Sequence, residues 1–144
     1  MAENLFSTED KKRIIEAIQE AEKQTSGEIQ VHIESYCKID VMDRAAEVFE
    51  TLKMHMTKER NAVLFYLAVE DHLFAVLGDS GINRVVPEDF WEKIKDEMAS
   101  LFKQKAFTDG LINGISLCGK ELKANFPYEQ KGDINELPDE ISFG

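Results

Sequence analysis

Basic residues are scarce in this chain, and so are cysteine, proline and tryptophan. Seventeen Lys and Arg stand against 28 Asp and Glu, with two Cys, three Pro and one Trp in 144 residues. The formal net charge of −11 repels phosphate backbones and anionic lipid heads, which argues against nucleic-acid or membrane-surface binding. The one short basic run, Lys11-Lys12-Arg13, falls on the solvated face of an expected helix. Cys37 and Cys118 are far apart and belong to no C-x-x-C pair, so reduced thiols fit better than a disulfide scaffold. Met1-Ala2-Glu3-Asn4-Leu5-Phe6 lacks the basic and apolar regions of a secretory signal. No apolar run approaches the roughly 20 residues of a membrane helix. The expectation is a cytoplasmic protein without direct membrane insertion. Glycine-rich nucleotide loops and the G-x-S-x-G hydrolase elbow are also missing.

What is present is periodicity. Hydrophobic residues make up 43% of the chain, enough for one packed domain over residues 1–128, followed by an acidic tail over 129–144. Ser7-Thr8-Glu9-Asp10 reads as a capping box opening a first helix with Ile14, Ile18 and Ala21 on one face. From Glu28 to Tyr36, Ile29, Val31 and Ile33 alternate with Gln30, His32 and Glu34, which predicts a strand with one wetter face near a sheet edge. A second helix carries Ala45, Val48, Phe49, Leu52 and Met56. Residues 62–69 are apolar throughout, as a central strand should be, and the short break at Glu70-Asp71 makes a hairpin with residues 72–78. The first two strands should then be parallel, and the third antiparallel to the second. Pro87 can start a helix with Phe90, Trp91, Ile94, Met98, Leu101 and Phe102, and Thr108-Asp109 caps a last one. The expected fold is a three-layer α/β/α sandwich: a small mixed sheet flanked by about four helices.

Of the reactive side chains, His32, His55 and His72 share no metal-ligand spacing and read as structural. Cys37 sits between a strand and a helix, but Arg44 is one residue too far for a C-x5-R loop, and Asp40 and Asp43 oppose a thiolate. The carboxylates are gathered by topology. The start of a parallel strand lies at the same end of a sheet as the finish of an antiparallel neighbour. Glu28 and Asn61 should therefore lie near Asp79, with Asn83 and Glu88 following in the same loop and helix start. Hard oxygens of this kind suit Ca²⁺ or Mg²⁺. Gly78 and Gly81 would let backbone groups turn inward. A second acidic group, Asp40, Asp43, Glu70 and Asp71, should lie at the other end, where helix starts and turns attract such residues anyway.

Ser26-Gly27-Glu28-Ile29-Gln30-Val31, Asn61-Ala62-Val63-Leu64 and Gly78-Asp79-Ser80-Gly81-Ile82, in this order and spacing, resemble the TPM-domain family over about residues 7–126. The trailing Asn135-Glu136-Leu137-Pro138-Asp139-Glu140-Ile141-Ser142 is similar to a soluble bacterial subgroup. The resemblance implies an α/β/α sandwich, divalent-cation binding and, for the thylakoid branch, acid-phosphatase activity tied to photosystem II repair. Many members carry Glu and Asp where this chain has Asn83 and Glu88, so one negative charge is lost.

Three functions follow as expectations. The first is a Ca²⁺- or Mg²⁺-binding interaction module with Asp79, Glu28, Asn83, Glu88 and Asn61 as ligands, acting through a protein partner such as a membrane-bound paralogue. The second is a metal-assisted phosphomonoesterase with Glu28 or Glu88 as base and Arg60 or Arg84 supplying positive charge. The third is a metal-independent docking domain that uses the Trp91 helix or the acidic tail.

Overall fold

A computed structural model describes residues 5–128 and 140–144. The elements run α1 (Thr8–Glu22), β1 (Glu28–Glu34), α2 (Val41–Thr51), a 3-10 turn (Met54–Met56), β2 (Ala62–Ala68), β3 (Leu73–Gly78), a single-turn α3 (Ser80–Asn83), α4 (Phe90–Lys103), α5 (Phe107–Asn125) and β4 (Ile141–Phe143). The sheet order is β3-β2-β1-β4. β1 and β2 are parallel with Glu28 opposite Ala62, and β2 and β3 are antiparallel with Val63 opposite Gly78. β4 runs parallel to β1, with Ser142 opposite His32.

α1 begins as the sequence predicts. Ser7 Oγ accepts the Asp10 amide at 3.0 Å and Asp10 returns the bond to the Ser7 amide at 3.2 Å, satisfying two orphan donors at once. α1, α4 and α5 cover one face of the sheet through Ile29, Val31, Ile33, Val63, Phe65 and Leu67. On the other face, α2 and the 3-10 turn pack Ala45, Val48, Phe49 and Met54 on Ala62, Leu64, Tyr66, Ala68 and Ala75. The strict alternation along β2 thus feeds two unequal cores.

Several details depart from the sequence reading. β1 is not at the sheet edge, because β4 lies outside it, and its polar face is not wet. Glu28, Gln30, His32 and Glu34 are all 6% exposed or less. α5 starts at Phe107, ahead of the expected cap at Thr108-Asp109, and Asp109 instead sits in its first turn and pairs with Arg13 at 2.9 Å. The glycines of the 78–81 loop do not use positive φ. They leave space: a Cβ on Gly78 would collide with the Trp91 ring, and one on Gly81 with the Glu59 and Arg60 carbonyls. Gly110 and Gly114 do flatten α5, against Phe102 and Met98 of α4.

Candidate functional site

At one end of the sheet, the starts of β1 and β2 meet the finish of β3, as topology requires. The Glu28 amide donates to the Asn61 carbonyl at 3.3 Å, the Asp79 amide to the Ala62 carbonyl at 2.9 Å, and the Gly81 amide to the Arg60 carbonyl at 2.9 Å. Glu28 and Asp79 therefore flank Ala62, roughly two strand spacings or 9–10 Å apart in the sheet. Both are buried, at 2% and 7% exposure. Asp79 borders a cleft of about 370 Å³ on the α2 side, with Phe49, Glu50, His55, Arg60 and Leu77.

Asp79 is already matched to a cation. Arg60 Nε donates to one carboxylate oxygen at 2.6 Å and Nη2 to the other at 2.8 Å. Ser80 adds its amide at 2.8 Å, which makes Asp79 the N-cap of α3. The bidentate fork raises the Arg60 pKa. Arg60 holds a left-handed backbone, φ 54°, just before β2.

The other expected ligands go elsewhere. Asn83 uses both ends of its amide as a clip: Nδ2 donates to the Gly78 carbonyl at 3.0 Å, and Oδ1 accepts the Trp91 indole N–H at 2.9 Å. Glu88 is exposed. Asn61 Nδ2 donates to Ser26 and Glu59 at 3.3 and 3.4 Å, while its buried Oδ1 has no hydrogen-bond donor. The structure thus brings Glu28, Asn61 and Asp79 to one end, adds Arg60, and leaves Asn83 and Glu88 outside the set. Among the described residues, no three His, Cys, Asp or Glu side chains are grouped to hold a metal ion.

The opposite end holds a polar network that sequence reasoning did not find. Arg44 on α2 grips Glu34 with Nε and Nη2, both at 2.9 Å, and reaches Glu47 at 3.2 Å. The Tyr66 hydroxyl donates to Glu34, and His32 Nε2 lies 3.1 Å from its other oxygen. His32 Nδ1 meets Ser142 Oγ at 2.8 Å, and its ring stacks on Tyr66 at 5.9 Å. Burial alone would raise the Glu34 pKa, but hydrogen bonds from Arg44, Tyr66 and His32 overcome it and bring it down to about 2. Burial lowers the His32 pKa despite Glu34, and raises that of Tyr66 with help from Glu34. The second acidic group is spent locally. Asp40 caps α2 through the Met42 and Asp43 amides, and Asp71 accepts the Cys37 amide at 2.7 Å. The sequence signal for the network was the His-x-Glu spacing facing Tyr66 across a parallel pair; it passes for ordinary alternation until β4 covers it.

Comparison with known proteins agrees with this architecture. The profile of the TPM domain matches residues 1–121. The NMR structure of BA42 protein from the psychrophilic bacterium Bizionia argentinensis is 49% identical, with a TM-score of 0.91 over 96% of this chain and 95% of that one. The N-terminal domain of a protein from P. gingivalis gives a TM-score of 0.69 at 15% identity, over 87% of this chain and 82% of that one. That of cg2496 from Corynebacterium glutamicum gives 0.64 at 14%, over 80% and 72%. These last two share the fold. No curated protein sequence matches the chain.

Proposed function

Because the chain belongs to the TPM-domain family, we propose that it is an accessory module that takes a divalent cation, Ca²⁺ or Mg²⁺, at the Glu28–Asp79 end and presents that end to a protein partner. The observation that carries this reading is the Arg60–Asp79 pair. Asp79 is 7% exposed and needs a positive partner, whereas the Arg60 side chain is 47% exposed and can return to water. Such a carboxylate can exchange one cation for another. Asp79 and Glu28 would supply the anionic oxygens and Asn61 the neutral one, and a bound cation would supply the charge that Arg60 otherwise provides. Asn83 and Glu88 take no part in this version of the site.

The test is a Ca²⁺ and Mg²⁺ titration of the isotope-labelled full chain, read from amide shifts. Saturable shifts are expected around residues 26–28, 60–62 and 78–81, with affinity strengthened severalfold in Arg60→Gln. An Asp79→Asn variant that titrates like the unmodified chain would overturn the assignment. A phosphomonoesterase at the same end has no observation of its own: Arg60 is committed to Asp79, and Glu88 is exposed. Turnover of a phosphate monoester that Asp79→Asn abolishes would restore that reading.

A further inference from the structure

A separate pocket lies where the tip of the β2–β3 hairpin meets the turn from α4 to α5. It encloses about 190 Å³, and its walls are Leu67, Phe74, Ala99, Phe102 and Phe107. Phe102 stands edge-on to Phe74 at 4.9 Å and tilts against Phe107 at 5.7 Å. Gly110 gives it room, since a Cβ there would press on the Phe102 ring. An apolar cavity of about 150 Å³ holds one benzene ring, so this one admits a single ring-sized body.

The rim is of the opposite kind. Its two polar residues are Lys103 and His72, in a chain whose net charge is −11. Lys103 is exposed and has no ion pair among the described residues. Three neighbouring acids have partners of their own: Asp71 accepts the Cys37 amide, Glu97 accepts from Asn113 Nδ2, and Asp109 pairs with Arg13. Phe107 also opens α5, whose N-cap Ala106 provides no side-chain acceptor.

We infer that this pocket binds a small arylalkyl carboxylate, with its ring among Phe74, Phe102 and Phe107 and its carboxylate at Lys103 beside His72. The wall sets the ring-sized body and the rim sets the anionic head. The overall negative charge does not prevent this, because it is screened beyond roughly 8–10 Å in physiological salt.

Phenylacetate and its neutral isostere phenylacetamide, each titrated into the labelled full chain, test the assignment. With phenylacetate, saturable amide shifts are expected at residues 72–74 and 99–107, with a Kd on the order of millimolar for so small a ligand. Phenylacetamide should bind about three- to fivefold more weakly, the worth of one exposed charge pair. Lys103→Met should weaken phenylacetate by the same factor and leave phenylacetamide unchanged. Ala99→Leu, which fills the pocket from the helix, should abolish both. Equal binding of the two probes would overturn the anionic rim, and no saturable shift at about 20 mM would overturn the pocket itself.

Discussion

At Glu34 the burial that should favour a neutral acid is outweighed by donors from three different elements: Arg44, Tyr66 and His32. A carboxyl whose folded pKa lies below its unfolded value releases protons on folding, so its contribution is full above the unfolded value of 4.5. It is lost as the pH falls from there through about 2. Glu34→Gln should therefore remove part of the stability that the chain loses across that window. Urea midpoints measured from pH 5 to pH 2 check this, and parallel curves for the two proteins would refute it. His32 acts one window higher. Its pKa is lowered by burial from 6.5, so its contribution is complete above that value and declines as the pH falls below it. The same residues show what the sequence could reveal of the site. Topology brought Glu28, Asn61 and Asp79 together from strand order alone. It could not show that Arg60 would reach Asp79, or that Asn83 would serve Gly78 and Trp91, because those partnerships depend on side-chain placement.

Among elements, the loop from β3 to α4 and the α4–α5 seam both depend on missing Cβ atoms, but with different neighbours. At Gly78 the neighbour is the Trp91 indole, a rigid ring held by Asn83. At Gly114 it is the Met98 side chain, whose Sδ would lie 2.6 Å away, with Phe65 at 3.1 Å. A thioether chain can yield where an indole cannot. Gly78→Ala should destabilise by about 1–3 kcal/mol and shift the fluorescence of Trp91, the only tryptophan. Gly114→Ala should come out near neutral, because a gain in helix propensity of about 1 kcal/mol offsets the displacement of Met98. Chemical denaturation of the two variants, followed by fluorescence, separates these outcomes. Elements were the most legible level of this sequence. Alternation marked β1, an unbroken apolar run marked β2, the short polar break after it marked β3, and period-3.6 patterns marked the long helices; the parallel and antiparallel pairings followed from connection lengths. β4 was not legible: Ile141, Ser142 and Phe143 are too few to show a period, and they lie in a stretch read as an acidic tail.

For the molecule as a whole, β4 covers the later part of β1, where Ser142 and Gly144 lie against His32 and Glu34. The Gly144 amide continues the pairing to the Ile33 carbonyl at 2.9 Å, and a Cβ on Gly144 would crowd His32 and Glu34. Lys11 of α1 lies over the Phe143 ring at 5.5 Å, tying the strand to the helical layer. Removing residues 140–144 should cost about 2–4 kcal/mol, the net worth of a few backbone hydrogen bonds. It should also return the His32 titration towards 6.5, since burial is the main reason for its lowering. An NMR titration of the ring protons of the shortened chain measures this. An unchanged midpoint would mean that something other than β4 keeps His32 from water.

The separation of β4 from its partner also orders events in time. His32 and Ser142 are 110 residues apart, whereas the β2–β3 hairpin closes between Ala68 and Leu73. Closure entropy rises with the logarithm of the loop, so the hairpin can zip early and β4 docks late. Until it does, the open side of β1 carries Glu28, Gln30, His32 and Glu34 rather than a second row of aliphatic side chains. The half-assembled sheet then presents polar side chains, not aliphatic ones, on that face beside its open edge.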